Sequence, residues 1–363
     1  MTALVEPAAG LTPAERRRYA RQLQLPGFGE QAQLRLKNSR VLVVGAGGLG
    51  SPVLLYLAAA GVGTLGVVDD DVVEESNLHR QVLHPTASTG RSKAESAREE
   101  LARANPHVRV VAHAERLTAA NALDLVAGYD LVVDGSDNFT TRYLVNDACV
   151  LAGRPWVWGA VLRFEGQVAV FRHGHGPTYR DLFPDPPAPG TVPNCAEAGV
   201  IGSVCAAVGA AMVTETVKLL TGTGRSLLGR VSVHDAFAGT WRSFALTPDP
   251  DREPVTALAE PAHEISAADL AARLAAREAG RDDFVLVDVR EPAEHAARSI
   301  PGAVLVPLAR LLVDPDALPD GELVLHCAGG TRSALAVQTL LGRGRTDVCH
   351  LRGGIAAWTG RTA

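Results

Sequence analysis

The sequence predicts an α/β protein: a doubly wound, mixed sheet followed by a second, smaller α/β domain. Three observations predict it. The runs Val41–Val44, Leu65–Val68 and Leu131–Val133 are apolar throughout rather than alternating, as strands covered on both faces are. Each ends in a glycine or aspartate turn, and stretches of helical pattern separate them. A fresh set of strands and helices begins beyond residue 263, after a stretch rich in proline and acidic residues.

The elements follow in order. A helix is expected over 12–24. Val41–Val44 meets Gly45, and small residues at helical spacing run from Ser51 to Ala60. A helix over Ser92–Ala104 leads to a strand at Val108–Ala112, and Leu131–Val133 ends in Asp134-Gly135-Ser136-Asp137. Such alternation gives right-handed βαβ units, which place ligands beyond the carboxyl ends of the strands. Gly45, Asp69 and Asp137 all fall there. The strands Trp156–Val161, Gln167–Phe171 and Val231–His234 follow, with a long helix over Ser203–Leu220 and a surface crossover over 183–194. The rear set comprises a helix over 266–278, strands Phe284–Val289 and Leu323–His326, and a helix over 332–341. The expected division is a front domain over 12–250, a linker over 251–262 and a rear domain over 263–361.

Composition narrows the function. Of 363 residues, 47% are hydrophobic and 21% charged, enough apolar material for two or three domains. The net charge is −5, and the only basic run, Arg16-Arg17-Arg18, reads as the solvated face of a short helix. No nucleic acid is therefore expected as a partner. No stretch of about 18 uninterrupted apolar residues occurs, so no membrane span is expected. The start lacks the basic and apolar regions of a signal peptide. The five cysteines, Cys149, Cys195, Cys205, Cys327 and Cys349, are odd in number and scattered. That argues against a disulfide framework and for a reducing cytoplasm. With no CxxC pair, a four-thiolate zinc site cannot be built.

Gly45-Ala46-Gly47-Gly48-Leu49-Gly50 stands between a strand and a helix. Glycines permit the sharp turn and let a phosphate approach the helix N-terminus. Asp69, after the next strand, is placed for a ribose hydroxyl. This much also fits a nicotinamide dinucleotide, and a tight turn without ligand is the bland alternative. The segment Ser76-Asn77-Leu78-His79-Arg80-Gln81 and Lys93 favour ATP. Attack on an α-phosphate builds charge that Arg and Lys stabilise, whereas a dehydrogenase has little use for two cations near its ribose site. Mg²⁺ would neutralise the departing pyrophosphate, with Asp137 at a strand tip to hold it. Taken singly, Arg80 and Lys93 read as surface charges and Asp137 as a helix N-cap.

The set GAGGLG, SNLHRQ, GRSKAE and DGSDNF resembles the MoeB and ThiF family, relatives of the ubiquitin-activating enzymes, over about residues 12–250. The resemblance implies a Rossmann-like sheet of the MoeB/ThiF type. It implies that ATP and Mg²⁺ are used to adenylate the C-terminal glycine of a ubiquitin-like sulfur carrier protein. Gly48, Asp69, Asn77, Arg80, Lys93 and Asp137 would bind the nucleotide and metal. Arg21, in RRYARQ, matches the family's arginine that reaches a neighbouring subunit's phosphate site, which implies a homodimer. Cys195, before a predicted helix, is by position either a thiolate of lowered pKa or a small buried hydrophobe. The resemblance favours the thiolate, because the family's sulfur-handling cysteine sits in this NCAE-type segment. Cys149 and Cys205 read as helix-packing residues. The family often carries two zinc-binding CxxC pairs. Their places, Thr178-Tyr179-Arg180-Asp181 and the region after Phe244, hold no cysteine. No zinc is expected, and packing alone must hold that part together.

The tail has its own signature. His326-Cys327-Ala328-Gly329-Gly330-Thr331-Arg332-Ser333 follows an apolar strand and opens a helix. A loop from Cys327 through Gly330 to Arg332 can turn backbone N–H groups toward one sulfur, aided by the helix dipole and the Arg332 charge, and so stabilise a persulfide anion. With Asp288-Val289-Arg290-Glu291, Ile300-Pro301-Gly302-Ala303 and Gly353-Gly354-Ile355-Ala356-Ala357-Trp358, this resembles a single rhodanese domain over about residues 262–360. Protein phosphatases also follow a loop cysteine with an arginine, but their loop is usually one residue longer.

The joined architecture resembles MoeZ-type adenylyltransferase/sulfurtransferases. It implies that Cys327 takes sulfur from a donor, thiosulfate or a cysteine desulfurase, and passes it to an adenylated carrier ending in Gly-Gly. Cys195 would resolve the product, with Arg80 and Asp137 serving the adenylation. The implied setting is molybdopterin, cysteine or thio-cofactor biosynthesis. Two alternatives stand beside it: an NAD-dependent oxidoreductase with a rhodanese tail, and a non-catalytic carrier-binding scaffold.

Overall fold

The computed structural model describes residues 2–184, 199–258, 264–315 and 318–362. The chain divides into two compact units at 259/260. The first begins with helices α1 (Pro13–Arg18) and α2 (Ala20–Leu23) and α3 (Gly29–Asn38). The single helix expected over 12–24 is broken at Tyr19 (φ −95°, ψ 12°), whose buried ring brings its hydroxyl within 2.9 Å of the donating Asn105 amide. Alternating elements follow: β1 (Arg40–Val44), α4 (Gly50–Ala60), β2 (Thr64–Val68), α5 (Lys93–Ala104), β3 (Arg109–His113), α6 (Ala122–Ala127), β4 (Leu131–Asp134) and α7 (Phe139–Ala152). Then come β5 (Trp156–Leu162), β6 (Glu165–Phe171), α8 (Tyr179–Leu182), α9 (Gly202–Thr221), β7 (Arg230–Asp235) and β8 (Thr240–Ala245).

The eight strands form one sheet in the order β3-β2-β1-β4-β5-β6-β7-β8. Strands β1 to β5 pair in parallel and β5 to β8 antiparallel. The sheet is mixed and doubly wound, as the sequence predicts. Its two faces carry separate cores. Val41 and Val43 pack with Leu54, Leu57, Leu101 and Met212 on one side; Leu42 and Val44 pack with Val132, Trp156 and Trp158 on the other. This is why β1 is apolar at successive positions: period-two alternation sends neighbours to opposite, equally buried faces.

Helix α9 is long and apolar enough by composition to cross a bilayer. Here it packs against β5, β6 and α4. Its Glu215 is buried and accepts hydrogen bonds from the Leu227 amide at 2.8 Å and from Lys218. An apolar helix stocked with such an internally satisfied carboxylate is a core helix of a sheet protein.

The places where the resemblance put cysteine pairs are joined by charge, which corrects the expectation that packing alone holds them. Asp181 Oδ2 accepts from the Thr178 amide at 2.6 Å and from the Thr178 hydroxyl at 3.0 Å. Asp181 Oδ1 accepts from the Asp249 amide at 2.9 Å and from Arg252 Nε at 3.1 Å. Beside it, Arg180 grips Asp147 through two bonds of 2.9 and 2.7 Å. With an aspartate and arginines here instead of thiolates, the donor set does not suit zinc.

The second unit contains β9 (Glu264–Ile265), α10 (Ala267–Glu278), β10 (Val285–Asp288), α11 (Pro292–Ala297), β11 (Val304–Leu305), α12 (Leu308–Val313), β12 (Leu323–His326), α13 (Thr331–Gly342) and β13 (Val348–Leu351). All strand pairs are parallel, in the order β11-β10-β12-β13-β9. Again two cores flank the sheet, one around Val287, Leu325 and Val337, the other around Leu286, Val324 and Trp358.

Burial raises the Asp181 carboxyl pKa, but the backbone donors Thr178 and Asp249 and the Arg252 guanidinium outweigh it, and the net shift is downward. A lowered native pKa stabilises the fold above the unfolded value and loses that stabilisation as pH falls through the native one. Asp181→Asn is expected to cost about 1–3 kcal/mol near neutral pH and to flatten the loss of stability below about pH 4. Urea unfolding of both proteins at neutral and acid pH measures this; parallel pH profiles would show that the carboxylate contributes nothing.

Candidate active sites

The first site lies beyond the carboxyl ends of β1, β2 and β4, at the switch in strand order between β1 and β4. A cavity of about 330 Å³ opens there, lined by Gly47, Gly48, Asp69, Arg80, Lys93 and Asp137 among others. Gly45 has φ +87°, and a Cβ on Gly50 would stand 1.9 Å from the Gly45 carbonyl oxygen. The loop therefore closes only with glycine at both places. Asp69 ties it down: Oδ2 accepts from the Ala46 amide at 2.7 Å and Oδ1 from the Asp71 amide at 2.9 Å. Burial pushes the Asp69 carboxyl up, against the pull of Lys93 and these two donors. Behind the loop, buried His84 donates from Nε2 to the Ala46 carbonyl at 2.9 Å, leaving Nδ1 to accept from Ser96 at 3.0 Å. Burial lowers its pKa, so it stays neutral as a brace.

The cations are held in place by neutral and acidic partners. Asn77 Oδ1 accepts from Arg80 Nη2 at 2.6 Å, and the His79 ring lies 2.8 Å from Arg80 Nη1. Lys93 is buried, its side chain 6% exposed, while its partner Asp71, 2.8 Å away, is 69% exposed. Sequence reasoning missed Arg116 and Arg142, which also line the cavity, as does Glu115. Acids on the wall thus offset the basic groups, and the site is charge-paired rather than simply positive. Arg142, set over the Phe139 and Trp158 rings, donates to the Ser136 carbonyl at 3.1 Å and so braces the turn that carries Asp137.

Asp137 does not cap the helix that follows. Asn138 does so, accepting from the Thr141 amide at 2.8 Å. That leaves the exposed Asp137 carboxylate on the cavity wall, and the neighbouring Ser136 hydroxyl there is buried and unsatisfied. Gln81 Oε1, also on the wall, is likewise unsatisfied. Unpaired buried polar atoms around an open cavity suit a polar ligand. Among the described residues no cluster of three metal-ligating side chains occurs. Mg²⁺ needs none, since it commonly takes one or two carboxylates and completes its shell with phosphate and water oxygens. Asp137 fits that role.

The second site is the loop between β12 and α13. Cys327 Sγ is buried and accepts from the Gly330 amide at 3.1 Å, with the Ser333 hydroxyl 3.5 Å away. Gly330 has φ +95°, and Gly354 passes so close that a Cβ there would meet the Cys327 carbonyl oxygen at 2.4 Å. Ile355 and Ala356 N–H donate to the Cys327 and Ala328 carbonyls at 2.8 and 3.0 Å, which turns the loop amides inward. Arg332 has an acidic partner. Its guanidinium is bidentate to Glu294, both bonds 2.7 Å, and holds that carboxyl down to about 2. The groups hydrogen-bonded to the sulfur are the Gly330 N–H and the Ser333 hydroxyl, while the Arg332 charge acts on Cys327 through space. Burial pushes Cys349 up to about 11 and Cys149 well above its ordinary value.

The structure thus gathers Gly48, Asp69, Arg80, Lys93 and Asp137 around one cavity, and Asn77 acts there through Arg80. Arg21 does not line it; it is exposed on α2, 3.4 Å from Gln24 Oε1. Cys195 lies outside the described residues. Cys205, read from sequence as helix packing, also faces the cavity, its sulfur 3.1 Å from where a Gly48 Cβ would stand. A residue buried in a helix can still floor a site when a glycine exposes it.

A doubly wound sheet with a glycine loop, a ribose-side acid and paired cations defines a nucleotide-using enzyme, joined here to a thiol-bearing anion loop. Residues 19–255 match the ThiF family, and residues 266–361 match the rhodanese-like domain. The chain belongs to the ThiF family and carries a rhodanese-like domain behind it. It is 49% identical to the probable adenylyltransferase/sulfurtransferase MoeZ of Mycobacterium tuberculosis, over 98% of this chain and 95% of that protein. It is 54% identical to the sulfur carrier protein adenylyltransferase of Thermus thermophilus, over 66% of this chain and 90% of that protein. Among solved structures, E. coli MccB superposes with a TM-score of 0.59 at 22% identity, covering 66% of this chain and 74% of that one, and so shares the fold. The chain is an adenylyltransferase and sulfurtransferase, which decides against the dehydrogenase and scaffold alternatives.

Gly50→Ala is expected to lose about 3 kcal/mol or more, because backbone rather than a flexible side chain blocks the added methyl. Gly48→Ala meets only Cys205 and the flexible Arg80 stem, so it should keep the fold and weaken nucleotide binding. Thermal melting and calorimetric ATP titration measure the two; equal melting points for Gly50→Ala and wild type would refute the close approach.

Proposed function

We propose that the front domain joins AMP to the C-terminal glycine of a ubiquitin-like sulfur carrier ending in Gly-Gly, and that the rear domain supplies the sulfur. The carrier carboxylate attacks the α-phosphorus of ATP and pyrophosphate leaves. The observation that carries this is the buried Lys93 on the cavity wall, whose acidic partner is itself solvent-exposed. Asp71 can swing to water when phosphate oxygens arrive, so Lys93 passes from one anion to another without remaining buried and unpaired. Arg80, steadied by Asn77, meets the same phosphates. Mg²⁺ on Asp137 would neutralise the departing pyrophosphate. Arg21, exposed away from its own cavity, is free to serve a second copy's site in a homodimer.

Cys327 thiolate attacks the sulfane sulfur of a donor, thiosulfate or a desulfurase persulfide, and the donor's remainder leaves. The Cys327 persulfide then attacks the acyl-adenylate carbon and displaces AMP. Cys195 attacks the Cys327 sulfur of the resulting acyl disulfide, which releases the carrier thiocarboxylate and leaves a Cys195–Cys327 disulfide for a cellular thiol to reduce. That requirement suits a reducing cytoplasm. The outer edge of the first sheet supports a protein partner: Phe164 stacks on Phe237, which is 74% exposed, and Trp241 and Phe244 are exposed on the edge strand β8.

ATP–pyrophosphate exchange tests the first half and mass spectrometry of the carrier the second. Asp137→Ala and Lys93→Ala should each lower exchange by about 100-fold or more. Cys327→Ala should exchange normally yet form no thiocarboxylate. Exchange that persists in Asp137→Ala sinks the adenylation reading, and thiocarboxylate from Cys327→Ala sinks the sulfur route.

A further inference from the structure

A chain of hydrogen-bonding groups leads away from the Cys327 sulfur that the sulfur-transfer route does not use. Ser333 Oγ donates to the Gly330 carbonyl at 3.0 Å and also lies 3.5 Å from Cys327 Sγ and 3.4 Å from His350 Nδ1. His350 Nε2 lies 3.5 Å from Glu264 Oε1, and the other oxygen of Glu264 pairs with Arg352 Nε at 2.9 Å. Ser333 and His350 are buried; Glu264 stands exposed at the end of β9. Four elements converge to make this line: the β12 end, α13, β13 and β9. The loop amides stabilise a thiolate once formed, but they cannot remove the thiol proton.

We propose that Ser333, His350 and Glu264 form the proton exit for Cys327. Ser333 touches the reacting sulfur and is a catalytic residue; His350 acts through Ser333 and is a positioning and proton-accepting residue. This rests on Cys327 being the sulfur-carrying thiol. The Glu264 carboxylate beside Nε2 favours the tautomer with the proton there, leaving Nδ1 to accept. The Ser333 hydroxyl then turns its proton from the Gly330 carbonyl to Nδ1 and gives it up there, while its oxygen takes the Sγ proton. The products are a Cys327 thiolate and a His350 imidazolium held against Glu264. With thiosulfate, the thiolate attacks the sulfane sulfur, the S–S bond breaks with its electron pair on sulfite, and the persulfide anion remains. Charge and atoms balance without an added oxidant.

Other charged groups near the loop are already engaged. Arg332 is bidentate to Glu294 of α11. His326 is buried 3.8 Å from Asp288, and its pKa is pushed down to about 4 by that burial. Asp288 is in turn gripped by Arg290 at 2.6 Å and faces His295 at 2.8 Å. None of these has a hydrogen bond to Ser333 or to the sulfur among the described residues.

The test is the pH dependence of Cys327 alkylation by iodoacetamide in the full chain, read on the Cys327 peptide by mass spectrometry. Ser333→Ala and His350→Gln should each move the midpoint up by about one pH unit, a roughly tenfold slower reaction below it. The double variant should move it no further than either single change, because both cut the same line. Glu264→Gln, at the exposed end, should give a smaller shift in the same direction and covers the case in which His350→Gln fails to fold. A residue with only a packing role would change the rate equally at every pH and leave the midpoint where it was. Identical midpoints in wild type, Ser333→Ala and Glu264→Gln would overturn the relay. Because alkylation needs no sulfur donor, a relay that behaves as expected in a protein that transfers no thiosulfate sulfur would fault the donor reading instead.

Discussion

Both sites depend on the same constraint: backbone must approach backbone more closely than any side chain allows, behind the carboxyl end of a central strand. At the first site Gly50 lies against the Gly45 carbonyl, and at the second Gly354 lies against the Cys327 carbonyl. Each contact bends a loop so that amide hydrogens face an anion rather than their own helix. The preceding strand fixes where the loop starts, and the following helix contributes its N-terminal dipole. The remaining side chains at each site serve to hold a bend that glycine makes possible.

Charge at the two sites follows a shared logic of engaged cations. Lys93 rests on Asp71, Arg80 on Asn77, Arg142 on a carbonyl and Arg332 on Glu294. A cation buried without a partner would be costly, so each is accommodated before any ligand arrives. What differs is how readily the partner can leave. Asp71 is exposed and can give way to phosphate, whereas Glu294 holds Arg332 through two bonds and a strongly lowered pKa. The first arrangement suits binding of a polyanion, and the second suits a loop whose shape must persist.

The tie centred on Asp181 shows how one structural job is filled by different chemistry. Metal–thiolate bonds would join two distant segments at a point. Here Asp181 does so by accepting from Thr178, Asp249 and Arg252 at once. Such a junction is sensitive to acid, where a carboxylate loses its charge, rather than to chelators.

The sequence by itself determined the layered α/β order and the two glycine loops. These follow from local rules: runs apolar at every position are two-faced strands, and glycine clusters between strand and helix are anion turns. Strand β8, with one residue after another exposed, and helix α3 carried no such period and escaped notice. Only the tertiary structure decided which charges meet. Arg332, in the same loop as the sulfur, pairs with Glu294 of another helix, while His350, seventeen residues beyond Ser333, comes within reach of it. Asp137 proved free for the cavity because its neighbour Asn138 took the cap. Partners of this kind are separated along the chain, and side-chain direction is set by packing between elements, which no spacing within a single segment encodes.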